Sequence, residues 1–136
     1  MDDLELAEEL RVSIGDFVRR VRVHDRMPPG QAAALGHLDR GGPLTIAELA
    51  RREQVKHQSM TRTVNLLEGL GRVALRADDR DARQLLVAIT AAGRAALGEE
   101  RGQRAAAIAR AMHDDLDESE REVLRRLPAI IRKLEP

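Results

Sequence analysis

Six side chains rich in hydrogen-bonding groups crowd one short stretch: Lys56, His57, Gln58, Ser59, Thr61 and Arg62. Further along, the run Asp78-Asp79-Arg80-Asp81-Ala82-Arg83 sets two guanidinium groups among three carboxylates. Neither group has the composition for breaking bonds. The chain has no Cys to act as a nucleophile, and its four His residues stand in no metalloprotease motif. Gly41-Gly42-Pro43 lacks the Gly-Lys-Ser/Thr that would complete a phosphate loop. What these groups can do is recognise. Ammonium, amide, hydroxyl and guanidinium donors pair with phosphates and with the edges of bases. Asp81, two residues before Arg83, can hold that guanidinium by a bidentate pair.

Two helices and a hairpin must position these groups. Thr45 and Glu48 form a capping box at the start of a short helix that faces inward through Ile46, Leu49 and Ala50. The chain turns near 53–56, and a second helix runs from about His57 to Gly69. Its stripe of Met60, Val64, Leu67 and Leu70 faces the core. The donors of 56–62, with Asn65, face away at the N-terminal end, where a DNA-recognition helix presents its base-reading side chains. Strands follow over 73–77 and 84–89, with Val73, Leu75, Leu85, Val87 and Ile89 on the core side. Their tip carries Arg80 and Arg83, which can enter a minor groove, where the negative potential attracts guanidinium groups. Arg51, Arg52 and Arg76 are candidate phosphate clamps.

At these residues a family resemblance emerges. Glu48-Leu49-Ala50, Met60-Thr61-Arg62, the Leu66–Gly71 run LLEGLG, the Asp81-x-Arg83 pair, Ile89-Thr90 and Gly93 follow one another in order. This order resembles the multiple-antibiotic-resistance regulator (MarR) family, and the likeness extends over the whole chain. The resemblance implies a dimeric winged-helix transcription regulator. By this likeness His57 to Arg62 sit in the major groove, and Arg83 is the wing arginine oriented by Asp81. It also implies control by a small, often aromatic or phenolic, anion bound between the dimer bundle and the DNA-binding part. One departure stands out: Arg72 follows Gly71 where the family places an apolar residue.

Composition sets further bounds. At 136 residues the chain suits one domain with helical extensions, and with 43% hydrophobic residues it can form a core. Phe17 is the only aromatic, so that core is aliphatic. Without Cys there is no thiol redox sensing. No run approaches the roughly 18 apolar residues of a membrane helix, and the acidic start lacks the features of a signal peptide, so a cytoplasmic protein is expected. The net charge of zero is unevenly spread. Between Arg51 and Arg83 stand eight basic against five acidic side chains, an excess of three that the rest of the chain offsets. The local field, not the net charge, steers phosphate binding.

The chain ends supply helices. Asp2 or Asp3 can cap one over about 3–25, with Leu10, Ile14, Phe17, Val18 and Val21 in a stripe. Pro29 marks the start of another over about 31–39, whose buried side is Ala34, Leu35 and Leu38. A very short strand at 44–46 is expected to lie against the wing. Thr90 can cap a long Ala-rich helix to about His113, with Gly93, Gly98 and Gly102 favouring a bend. Asp117 and Glu120 form a capping box for a last helix over 118–134, where Pro128 predicts a kink. The fold expected is mainly α with a small β-hairpin wing. In it 28–90 form the winged-helix DNA-binding region, and 1–27 with 91–136 form a helical dimerisation bundle. A dimer would present two recognition helices about 34–36 Å apart to successive major grooves of a palindrome.

The function expected is a homodimeric repressor that binds double-stranded DNA and is released by a small aromatic or anionic effector. Two alternatives remain open: a winged-helix protein-interaction module, and a metal-responsive regulator of the same fold. His113, Asp114, Asp115, Asp117 and Glu118 are rich enough in oxygen to hold a cation, but they also read as a helix end followed by a cap. No cofactor and no metal ligand are assigned.

Overall fold

The computed structural model describes residues 1–136. Its elements are α1 (Asp3–Arg22), α2 (Pro29–Gly41), β1 (Leu44–Thr45), α3 (Ile46–Glu53), α4 (His57–Gly69), β2 (Val73–Ala77), β3 (Leu85–Ile89), α5 (Ala91–Asp115) and α6 (Glu118–Ile131). They separate into two compact units, residues 25–102 and residues 1–24 with 103–136, and α5 contributes to both.

The 25–102 unit packs α2, α3 and α4 on one another and closes them with the sheet. Its core is aliphatic: Leu35, Leu38, Leu49, Val64, Leu67 and Val87 are fully buried. Each such side chain contributes roughly 1.5–3 kcal/mol over an exposed one. Ala34, Leu35 and Leu38 are the buried side of α2, as expected. The helix is longer than predicted because Pro29, whose fixed φ suits a first turn, starts it, and it runs on to Gly41.

Helix α3 carries both halves of its capping box. The Glu48 N–H donates to Thr45 Oγ1 at 3.1 Å, and the Thr45 N–H to Glu48 Oε1 at 3.2 Å. Its far end closes through Gln54, a non-glycine residue at φ 58°, ψ 44°. There the Gln54 and Val55 N–H groups donate to the Arg51 and Ala50 carbonyls at 3.2 and 3.0 Å. This left-handed closure makes the turn tight enough for α4 to begin at His57.

Helix α4 buries Met60, Val64 and Leu67. Leu70, the fourth member of the predicted stripe, is instead its C-cap and is exposed, because the helix ends before that turn can face the core. The sheet is antiparallel in the order β1-β3-β2, so the predicted short strand does pair with the wing. Leu75 and Leu44 flank Val87, and Val73 faces Ile89. Leu85 was expected on the core side but is exposed, and its neighbour Leu86 is buried. Leu85 pairs with Ala77 at the tip end of the ribbon, whereas Leu86 lies between Thr45 and Arg76 in the register of the middle strand.

One knot joins α4, the wing and α5. Gly71, at φ 75°, lets the Arg72 N–H donate back to the Leu67 carbonyl at 2.9 Å. The Arg72 carbonyl accepts from the Thr90 N–H at 3.0 Å. The Thr90 hydroxyl donates to the Gly71 carbonyl at 2.6 Å and accepts from the Gly93 N–H at 3.0 Å, capping α5. Gly93 presses on this knot so closely that a Cβ there would lie 2.1 Å from the Arg72 oxygen. Arg72, the departure from the family pattern, is half-buried and fixed through its backbone.

In the other unit, Asp2 is the residue that caps α1, in a capping box with Glu5, and the helix ends at Arg22. A second box, Asp117 with Glu120, starts α6, which contains Pro128 and ends at Ile131 rather than at 134. Neither α1 nor α6 buries a single residue within the chain. Leu10, Ile14, Phe17 and Val18 on one, and Val123, Leu127, Ile130 and Ile131 on the other, stay exposed. Helix α5 continues through Gly98 and Gly102 to Asp115, two residues beyond His113. The acidic run after it is spent on helix ends. Asp117 accepts from the Glu120 N–H, and Glu118 bonds Arg125 and Arg121, which hold its carboxyl below the usual range. No three His, Asp or Glu side chains converge as a metal-binding group. No helix is long and apolar enough to cross a membrane.

Candidate nucleic-acid interface

The predicted reading residues fall on the first two turns of α4. Lys56 is the N-cap and makes no side-chain cap bond. His57, Gln58 and Ser59 form the exposed first turn, Met60 turns inward, and Arg62 emerges on the next turn. Thr61 is half-buried, and its hydroxyl donates to the His57 carbonyl at 2.9 Å, with His57 Nδ1 3.4 Å away. Its methyl and hydroxyl therefore shape the helix surface more than they reach beyond it. Lys56, Gln58, Ser59 and Arg62 have no side-chain partner within the chain. Their hydrogen-bonding capacity is available to a ligand.

The wing tip is more ordered than its charge suggests. Asp81 accepts the Arg83 backbone N–H at 3.1 Å and grips the guanidinium through Nε at 3.1 Å and a terminal nitrogen at 3.3 Å. This is the bidentate pair expected of the two residues. The Arg83 side chain, and next its backbone N–H, hold the Asp81 carboxyl below its ordinary range. The Arg83 side chain nevertheless remains 91% exposed. The sequence reading missed a second pair of the same spacing. Asp78 accepts the Arg80 N–H at 3.0 Å and the Arg80 Nε at 3.4 Å. The signal was present, since Asp-x-Arg occurs twice in six residues.

These parts meet at one cleft. His57 of α4, Thr45 and Ile46 at the start of α3, and Arg83, Gln84 and Leu85 of the wing line a groove of about 330 Å³. The exposed Leu85 lies on the wall of this groove. The structure thus brings His57 and Arg83 to one surface. Arg62 and Arg76 are not on the groove wall, and Arg76 stands exposed on β2. Arg51 and Arg52, on the last turn of α3, are exposed and carry no ion pair. Glu48 lies inside this basic field. Its carboxyl is held below the ordinary range first by the Thr45 N–H and hydroxyl, and further by the nearby Arg80 and Arg51 charges.

The polar side chains Arg19, Arg20, His24 and His37 are not on the wall of this groove. Arg19 is bonded to Asp16. His37 Nε2 lies 2.7 Å from Glu53 Oε2 and joins α2 to the end of α3. Arg20 and His24 alone line a cleft together, about 240 Å³ between α1 and α5, beside Phe17, Val21 and Ile108.

Known proteins carry the same design. The MarR family profile matches residues 27–84. An HTH-type transcriptional regulator of Mycobacterium tuberculosis is 32% identical over 126 residues, covering 90% of this chain and 87% of its own. A solved Pseudomonas aeruginosa structure, described as that of a transcriptional regulator protein, is 33% identical with a TM-score of 0.81, covering 98% of this chain and 97% of its own. Bordetella bronchiseptica BpsR, whose DNA binding is regulated by 6-hydroxynicotinic acid, shares the fold at 20% identity and a TM-score of 0.59, over 95% and 94% of the two chains. With six helices, a three-stranded winged sheet and a donor-rich helix beside an arginine-bearing tip, the chain belongs to the MarR family of DNA-binding transcriptional regulators.

Proposed function

We propose that this regulator is a cytoplasmic homodimer that represses transcription from a palindromic operator and is released by a small aromatic or anionic ligand. The observation that carries this reading is the groove shared by His57 and Arg83, which aligns the exposed start of α4 with the wing tip. Lys56, His57, Gln58, Ser59 and Arg62 read bases and phosphates in the major groove, with Thr61 beside them. Arg83, held by Asp81, enters the adjacent minor groove, and Arg51, Arg52 and Arg76 bind phosphates. Thr61 supports His57. Dimerisation is supported by the apolar faces of α1 and α6, which a monomer would leave in water. The domain assignment follows: residues 28–90 bind DNA, and 1–27 with 91–136 build the dimer. For ligand control, the cleft between α1 and α5 sets an aromatic ring, a guanidinium and an imidazole together beside the Asp115 carboxylate, a composition suited to a small aromatic ligand that carries both an acidic group and a donor.

The test is binding to DNA upstream of the chain's own gene by wild type and Arg83→Ala over a salt series. The expected result is tight, sequence-selective binding with a steep salt slope, weakened in the variant. Weak binding that ignores sequence and is unchanged in Arg83→Ala would overturn the reading in favour of a protein-interaction module. A denatured and refolded sample run in parallel removes any ligand carried through purification.

A further inference from the structure

We propose that Asp78 is a positioning residue for DNA binding: it holds Arg80 as a second, independently oriented cation on the wing. This inference rests on the DNA-reading surface described above and adds to it. Asp78 is 5% exposed, an unusual site for a carboxylate where the tip of a surface hairpin begins. Its own N–H donates to the Gln84 carbonyl at 3.0 Å, which locks its backbone to the chain just before β3. From that fixed point one oxygen accepts both the backbone N–H and the Nε of Arg80. The Arg80 side chain is still 77% exposed, so it is held at its root and free at its tip. Three residues later Asp81 and Arg83 repeat the arrangement. Each aspartate makes an Asx-type turn with the amide two residues on, and each turn launches an arginine. A free arginine loses much rotamer entropy when it docks, and one already held loses less.

The sign of the effect separates this role from simple charge. Removing a carboxylate from the wing weakens repulsion of phosphate, so by charge alone Asp78→Asn strengthens DNA binding. The positioning role demands the opposite. Asp79 supplies the control: it is exposed and has no bonding partner within the chain.

The experiment measures operator affinity against salt for the full chain carrying Asp78→Asn, Asp79→Asn, Arg80→Ala, Arg80→Lys and Asp78→Asn/Arg80→Ala, with Arg83→Ala as reference. Asp78→Asn is expected to weaken binding about three- to tenfold, in keeping with the cost of ordering one long side chain. Its salt slope stays that of the wild type, and Asp79→Asn binds as well as wild type or better. Arg80→Ala should lose affinity and flatten the slope by about 0.9 for one phosphate contact. Arg80→Lys keeps the charge and the backbone bond but loses Nε, and should weaken binding at an unchanged slope, which tests the role even if Asp78→Asn folds poorly. In the Arg80→Ala background, Asp78→Asn should have no further effect. The proposal is overturned if Asp78→Asn binds as tightly as Asp79→Asn, if its loss persists without Arg80, or if Arg80→Ala matches wild type while Arg83→Ala does not. If Arg83→Ala is silent too, the DNA-reading surface itself is wrong.

Discussion

Gly93→Ala puts a methyl group where the fold has no room. The added Cβ would lie 2.1 Å from the Arg72 carbonyl oxygen, 3.1 Å from its carbon and 2.8 Å from Ile89 Cγ1. Two of these atoms are backbone, so no rotamer change relieves the contact. The start of α5 must lift by at least about 1.3 Å to reach ordinary contact distance. That movement stretches the Thr90 N–H bond to Arg72, at 3.0 Å, and the Thr90 hydroxyl bond to Gly71, at 2.6 Å. Overpacking costs about 1–3 kcal/mol, and two weakened hydrogen bonds about 1–2 more. Alanine returns about 1 kcal/mol through its helix propensity. The net expectation is a loss of about 1–4 kcal/mol, or at the middle of that range a melting temperature lower by about 10 °C for a chain of this size. Gly98, in the same helix, has nothing within 4 Å of its built Cβ, so Gly98→Ala should gain up to about 1 kcal/mol. Thermal and urea unfolding by circular dichroism, at one fixed protein concentration because oligomers melt concentration-dependently, reads both. If Gly93→Ala melts at or above the wild type while Gly98→Ala behaves as expected, α5 does not rest on the Arg72 carbonyl, and the knot is not a structural constraint.

Two further outcomes are expected. Gln54→Gly relieves a left-handed residue and should stabilise the chain by about 1 kcal/mol in urea unfolding, whereas Gln54→Val should destabilise it. Glu48 has a folded pKa below its ordinary value of 4.5, chiefly through the Thr45 N–H and hydroxyl. Its contribution is therefore complete above pH 4.5 and is lost as pH falls through the lower folded value. Glu48→Gln should make stability less dependent on pH in that acid range, read as urea midpoints from about pH 3 to about pH 6. An unchanged acid slope would mean that the carboxylate charge contributes nothing to the cap.

Much of this architecture was legible in the chain because local rules and tertiary packing agree. Ser/Thr/Asp–Glu boxes mark helix starts by a bond between residues three apart, and Asp2, Thr45 and Asp117 all obey. Met60, Val64 and Leu67 could be placed because a helix must turn one face to the core. The misreadings occur where a local pattern meets an edge. Leu70 and Leu85 continue apolar periodicities, but each lies where its element runs out of partner. Arg72 looked out of place because its side chain does little there; the role belongs to its carbonyl, which any residue supplies. Gly93 was visible as a family position and a helix glycine, but the reason for it was not, since the atom that excludes a Cβ comes from Arg72, in the turn between α4 and β2. The Asp81–Arg83 pair was visible by spacing. The Asp78–Arg80 pair has identical spacing, but the burial that makes Asp78 a fixed point depends on the folded wing.

On α4 the inward stripe of Met60, Val64 and Leu67 is separate from the outward set of Lys56, Gln58, Ser59 and Arg62, whose side chains make no bond to the rest of the chain. Vocabulary and grammar are thus carried by different residues. An outward position can drift through mutation at little folding cost, so on the proposed DNA-reading role a duplicated gene could acquire a new target by a few changes in four side chains. The same separation makes this helix a ready chassis for rewriting specificity by exchange of its exposed face, with thermal stability as the check that nothing beneath was disturbed.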